Sequence, residues 1–265
     1  MAAPSAPSTS EPGCPDLKLF MFRGSNAVRT AELMLAHKAI AYEEVLLKRG
    51  EHITQLPARG FQGITVPAIE AAGQRVQGTR EISQWLDELK PEPKLFPAND
   101  EERLAVKRAE QYGEQLQDVA RRLFYCAMNR TAPTAVEQLA AAHHGATDAA
   151  AKHDLATLNA CLDRIDDWIQ IGLLNGNELN AADFQIAPNI AWLLRFEDIA
   201  PSIVDRPAAA HATRVAGEGP RQVQRVFPDE WLQPLRRAVR RHDRLVISRV
   251  PPMLDEAPNE PPTCS

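Results

Sequence analysis

The chain has 265 residues, with 30 Lys and Arg against 35 Asp and Glu and a formal net charge of −5. A chain of this length buries roughly three quarters of its unfolded surface and has room for two domains. Its mildly acidic balance supplies no general field for nucleic acid or an anionic membrane, so the expected partner is a small molecule or another protein. No apolar run approaches the roughly 20 residues that span a bilayer, and no basic and then apolar leader opens the chain, so a cytoplasmic protein is expected.

Residues 1–16 are rich in Pro, Ser, Ala and Gly, and their composition predicts a disordered arm. The run Leu17-Lys18-Leu19-Phe20-Met21-Phe22 reads as a strand, Arg23-Gly24-Ser25-Asn26 as a loop, and Ala27 to Lys38 as a helix through Val28, Ala31, Met34 and Leu35. Tyr42 to Leu47 reads as a second strand, and residues 50–64 as a polar connection with room for one helical turn. Next come a short strand with an interior proline, Thr65-Val66-Pro67-Ala68-Ile69, a turn at Ala72-Gly73, and a strand at Arg75-Val76-Gln77. A helix opened by Thr79 as N-cap follows and ends near Leu89.

Proline cannot donate to a sheet ladder, so Val66-Pro67 within a strand marks an edge, a bulge or a cis bond. Beside a helix N-terminus, such a corner has free backbone and amides for the main chain and carboxylate of a small peptide. A stiff linker is expected over residues 91–99, where Pro91, Pro93 and Pro97 exclude helix. Beyond it the pattern is helical only: Asp100 to Asn129, a break at Thr131-Ala132-Pro133, Thr134 to His144, Asp148 to Ile171, Ala181 to Phe196 and Asp229 to Ser248. Asn180 with Asp183 three residues later forms a capping-box-like start. The expected fold is a mixed α/β domain over 17–90, an all-helical domain over 100–249 and a disordered tail over 250–265.

Several clusters carry no chemistry at this level. Cys14, Cys126, Cys161 and Cys264 form no Cys-x-x-Cys pair, and Cys126 and Cys161 fall in helical patterns as buried apolar fillers. His143, His144 and His153 lack the spacing of a helical metal pair, so they read as surface histidines and no metal is expected. The basic run Arg236 to Arg244 reads as a solvated helical stripe, and Gly24, Gly60, Gly63 and Gly73 assemble no phosphate-cradling loop.

The order of these elements, with Val66-Pro67 followed by Gly78-Thr79, resembles the glutathione transferase superfamily, whose N-terminal domain is thioredoxin-like and whose C-terminal domain is helical. The run Phe22-Arg23-Gly24-Ser25-Asn26-Ala27-Val28-Arg29 is similar to the zeta-class opening Phe-Arg-Ser-Ser-Cys-Ser-Trp-Arg. Here Gly24 stands where the family's activating Ser is found, Ser25 matches the second Ser, and Asn26 replaces the Cys. The resemblance implies that Thr79, with the amides around it and Arg80, receives the γ-glutamyl carboxylate. It also implies that Val66 pairs its backbone with the cysteinyl unit, that Pro67 fixes the bend, and that Gly24, Ser25 and Asn26 lie against the thiol. Gly78 replaces the usual Glu or Gln, and Arg29 is expected in a structural ion pair.

Lowering a thiol pKa from about 8.5 by two units requires about 2.7 kcal/mol of thiolate stabilisation. One hydroxyl donated to the anion supplies roughly 1.5–3 kcal/mol, and a helix N-terminus adds ~0.3–1 kcal/mol. Ser25 is therefore the expected catalytic residue, with glutathione or a related low-molecular-weight thiol as co-substrate, a small electrophile as acceptor and a homodimer as the assembly. The alternative is a non-catalytic member that binds an apolar ligand or a protein partner. A disulfide or dehydroascorbate reductase would need a cysteine in the Gly24 to Asn26 loop, which has none.

Overall fold

The computed structural model describes residues 17–131, 133–217 and 223–242, with the last six of these as backbone only. The expectations for residues 1–16 and 250–265, including Cys14 and Cys264, lie outside the described residues. Of the basic run only the side chain of Arg236 is described, and it pairs with Asp229 at 3.0 Å.

The first unit runs β1 Lys18–Met21, α1 Asn26–His37, β2 Glu43–Leu46, α2 His52–Ala58, β3 Ala68–Ala71, β4 Gln74–Gln77 and α3 Thr79–Leu89. Its sheet has the order β2-β1-β3-β4. Strands β1 and β2 pair in parallel, with Phe20 opposite Val45, whereas β3 runs antiparallel to β1 and β4. This is a thioredoxin-like mixed sheet. Leu19, Phe20, Ile69 and Ala68 close its core against Ala31, Met34 and Leu35 of α1 and Ile82 and Leu86 of α3, all essentially without solvent contact.

The second unit is all helical: α4 Asp100–Asn129, α5 Ala135–His143, α6 Asp148–Gln170, α7 Ala181–Leu193, a 3₁₀ turn at Ala200–Ser202, α8 Pro207–Ala216 and α9 Asp229–His242. Helix α7 is the axis of this unit, buried from Ala181 to Ile190 and packed on α4, α8 and α1. Its close approach to α4 depends on Gly113, where a Cβ would stand 2.8 Å from atoms of Gln185 and Ile186.

Four details depart from the sequence reading. The third strand starts after Pro67 and lies in the interior of the sheet; Val66-Pro67 is a cis peptide ahead of the ladder. Thr79 is not the N-cap: Gly78 holds that place at φ 100, and the helix has no side-chain cap. Only a residue without Cβ takes that angle freely where the chain leaves β4 and enters α3. The connection 50–64 contains a seven-residue helix, α2, rather than a single turn. Helix α8 had no predicted counterpart, because its buried residues are mostly Ala208, Ala209 and Ala212, which give little apolar periodicity. Its one local signal is Pro207 at the first helical position.

The two units are joined by buried polar contacts as well as apolar ones. Lys38 is fully buried at the end of α1; its Nζ donates to Asp87 at 2.8 Å and to the Lys90 carbonyl at 2.7 Å. Asp87 also accepts from the Leu95 amide at 2.7 Å, which fixes the linker. Cys126 and Cys161 are both buried, and burial pushes the Cys126 thiol up to about 11, away from reactivity.

Glu110 of α4 is 1% exposed and accepts from Ser83 of α3. Burial raises its pKa to about 7, against the opposing effects of Ser83 and Arg80. A carboxyl that is harder to ionise folded than unfolded contributes its stability fully below the unfolded pKa and loses it as pH rises through the folded one. The protein is therefore expected to lose on the order of 2–3 kcal/mol between about pH 4.5 and 7.5 through this group. Denaturant titrations across that range should show the slope in the wild type and a flatter profile in Glu110→Gln; equal slopes would remove Glu110 as the cause.

Candidate functional site

Strand β1 delivers the chain into a tight turn at Gly24, which has φ 85. A Cβ there meets no neighbour, but the left-handed backbone disfavours any other residue. That angle accounts for Gly where the resemblance has Ser. Ser25 follows in an extended conformation as the N-cap of α1, its Oγ accepting from the Val28 amide at 3.3 Å. The bond uses the oxygen as acceptor only, so the hydroxyl proton remains available to an anion.

Behind Ser25, Asn26 is 4% exposed and its amide nitrogen donates to Asn189 of α7. Asn189 in turn donates to the Gly113 carbonyl of α4 at 3.0 Å and to Gln185 at 2.7 Å. This buried chain of amides anchors the first turn of α1 to the helical domain. The side chain of Asn26 is therefore committed to structure and is not free for a thiol ligand. Arg29 pairs with Glu32 at 3.6 Å and donates to the Ala216 carbonyl at 3.2 Å.

Val66 is shaped by both neighbours. Its amide and carbonyl lie outside the sheet ladder, which begins at Ala68, and have no hydrogen-bond partner among the described residues. Gln77 clips the preceding loop, its Oε1 accepting from the Gly63 amide at 2.8 Å and its Nε2 donating to the Thr65 carbonyl at 2.7 Å. The Gly78 amide donates to the Pro67 carbonyl at 3.2 Å, which ties the bend to the start of α3.

Ser25 and Val66 open on one cavity of ≈ 290 Å³, walled by the β1–α1 loop, the segment Arg49 to Ile53, and helices α4, α5 and α7. Of the predicted site residues, Gly24, Ser25, Asn26 and Val66 line it, whereas Pro67, Thr79 and Arg80 do not. Thr79 is 4% exposed at the first turn of α3, and its hydroxyl has no hydrogen-bond partner among the described residues. Arg80 is turned toward Glu114 of α4, 3.5 Å away. The carboxylate of Glu81 folds back over Gly78, into the space that a Cβ at position 78 would take.

The sequence reading missed the opposite wall. Arg121, Tyr125, His144 and Trp192 face the cavity there, with Arg49 and His52 at the side. Arg121 and Tyr125 are four residues apart on α4, a helical spacing visible in the sequence. His143 and His144 also line the cavity: His143 is exposed, as expected of a surface histidine, whereas His144 is half-buried. The reason is the short α5, which folds back over α4 and brings its C-terminus to Tyr125; the Tyr125 and His144 rings stack at 5.4 Å.

Burial, followed by the positive charge of Arg121, lowers His144 to about 4. Burial also lowers His52, whose Nδ1 accepts from the Gly50 amide at 3.2 Å. Both imidazoles are accordingly neutral at pH 7. Among the described residues no group of His, Cys, Asp and Glu is arranged to hold a metal ion, and no helix is long and apolar enough to cross a membrane.

Residues 19–94 match the family model for the glutathione S-transferase N-terminal domain. No curated protein matches the chain in sequence. Among solved structures, a glutathione S-transferase from Rhodospirillum rubrum F11 is 21% identical with a TM-score of 0.54, over 83% of this chain and 91% of that one. A glutathione S-transferase domain-containing protein from Marinobacter aquaeolei VT8 is 19% identical with a TM-score of 0.57, over 75% and 97%. A rice glutathione S-transferase in complex with glutathione is 17% identical with a TM-score of 0.54, over 87% and 99%. The match identifies residues 19–94 as a glutathione S-transferase N-terminal domain, and the two-unit fold is shared with these solved structures.

Proposed function

We propose that the protein binds glutathione, or a related small thiol peptide, and transfers its sulfur to a small electrophile. One observation carries this reading: the Ser25 hydroxyl at the N-terminus of α1 and the unpartnered backbone of Val66 open on the same cavity. The Val66 amide and carbonyl would hold the cysteinyl unit as an added strand does. That placement would bring sulfur to the first turn of α1, where the helix amides and the Ser25 proton favour thiolate over thiol. The thiolate would then attack an acceptor seated against the aromatic wall. A homodimer, implied by the family resemblance, and the cytoplasmic location expected from the sequence pattern go with this reading.

In this reading Thr79 and the open amides at the start of α3 take the peptide's carboxylate. Thr79→Ala is expected to weaken glutathione binding by ~10-fold or more, the worth of one hydroxyl donated to an anion. Because the hydroxyl caps nothing, stability should change little. Calorimetry against glutathione, paired with a thermal melt, checks both; unchanged affinity would remove Thr79 from the site.

A second reading has its own support. Gly24 replaces the family's activating Ser, and Gly78, under the Glu81 carboxylate, replaces its usual Glu or Gln; both fit a member that uses the cavity for binding without chemistry. Conjugation of glutathione to a generic aryl chloride, measured against the uncatalysed rate, decides between the two.

A further inference from the structure

The far wall of the cavity combines aromatic rings with permanent positive charge. Tyr125, His144 and Trp192 line it, and Tyr125 lies nearly parallel to His144 at 5.4 Å and 14°. Phe124, behind the wall, meets Trp192 tilted by 39° at 4.7 Å and Tyr125 edge-on at 5.5 Å. Two guanidinium groups reach the same space from different elements, Arg121 from α4 and Arg49 from the loop after β2. Neither is held by a buried carboxylate. Arg121 pairs with the exposed Asp118 one turn earlier at 3.2 Å, a contact that solvent makes weak and exchangeable. Arg49 lies over the Phe22 ring at 5.5 Å.

The one acidic side chain lining the cavity is Glu137, and its carboxylate is already accepting from the Thr134 amide at 2.7 Å and the Thr134 hydroxyl at 2.8 Å. The neutral imidazole of His144 adds aromatic surface without competing for an anion. A planar acceptor with a neutral rim would leave both arginines in water. One bearing an anion at its rim would engage them with charge-assisted hydrogen bonds while its ring stacks.

We propose that this wall is a subsite for planar aromatic or conjugated electrophiles that carry a carboxylate. Arg121 and Arg49 hold the anion, and the ring packs against Tyr125, His144 and Trp192. The substrate class rests on the transferase reading for its chemistry. With an aryl chloride, the thiolate sulfur forms the C–S bond, chloride leaves with the electrons of the broken C–Cl bond, and the thiol proton passes to solvent.

Binding and turnover separate the two claims. Calorimetry without thiol compares 3,5-dinitrobenzoate with 1,3-dinitrobenzene, in the wild type and in Arg49→Gln/Arg121→Gln, with a thermal melt to verify folding. The wild type should bind the carboxylate about 10- to 100-fold more tightly, and the double variant should bring that ratio close to one. A ratio near one in the wild type, or a ratio unchanged in a folded double variant, would overturn the subsite. Turnover with glutathione then compares 4-chloro-3,5-dinitrobenzoate with 1-chloro-2,4-dinitrobenzene. Selective binding that falls in the variant, with neither chloride turned over, supports the subsite and contradicts the transferase reading. Turnover of both chlorides without preference, together with unselective binding, overturns the subsite and leaves that reading standing.

Discussion

Asp183→Ala is expected to lower the unfolding free energy by roughly 3–5 kcal/mol, the range for removing one partner from a buried charged network. Asp183 has no solvent exposure. Its carboxylate accepts from the Asn175 amide at 2.7 Å and the Asn180 amide at 2.9 Å, and lies 2.8 Å from Nε2 of the fully buried His211. Alanine would leave two amides and an imidazole without their acceptor in a site water does not reach, each a desolvation cost of about 1–3 kcal/mol. Helix α7 would lose its capping box in the same step, and this helix carries Asn189, which anchors the start of α1. Chemical denaturation should show the loss, with a fall in melting temperature of roughly 6–20 °C for a chain of this size. A change near 1 kcal/mol would mean that Asp183 is an ordinary cap and that the His211 contact contributes nothing.

The other large effect is expected at Ser25. If its hydroxyl donates to the bound thiolate, Ser25→Ala should raise the bound thiol's pKa by about one to two units and lower kcat/KM roughly 10- to 100-fold at neutral pH. The variant also loses the Oγ acceptor of the Val28 amide, which should cost the helix ~1 kcal/mol. The two effects have separate readouts. A merely structural Ser25 would lower the melting temperature and leave the pH profile of kcat/KM in place, whereas the proposed role moves the profile toward higher pH. Glutathione affinity should hold, because Val66 and the start of α3 are untouched.

Much of the fold was legible because local signals agreed with the tertiary structure. Asp100 and Asn129 bound α4 in both readings, since Asn99 caps it and the break at Thr131 to Pro133 ends it. Asn180 and Asp183 fulfil their capping-box pattern. What the sequence hid depends on backbone angles or on contacts distant along the chain. The φ of 100 at Gly78, which moves the cap off Thr79, follows from how β4 meets α3, and its one trace in the sequence is the glycine itself. Asn26 reads as a loop residue beside the ligand until α7 arrives with Asn189, 163 residues later. The aromatic wall was missed for the same reason. Tyr125, His144 and Trp192 come from three stretches of chain, and only the packing of α4, α5 and α7 brings them to one cavity.

The central claim, that this site ionises a thiol, is tested most directly by the ultraviolet thiolate absorbance of glutathione bound to the wild type, titrated across pH. An ordinary thiol ionises near 8.5. A midpoint one to two units below the value for free glutathione, shifted back toward it in Ser25→Ala, is the predicted result. Glutathione that binds and yet ionises no more readily than in solution would contradict it.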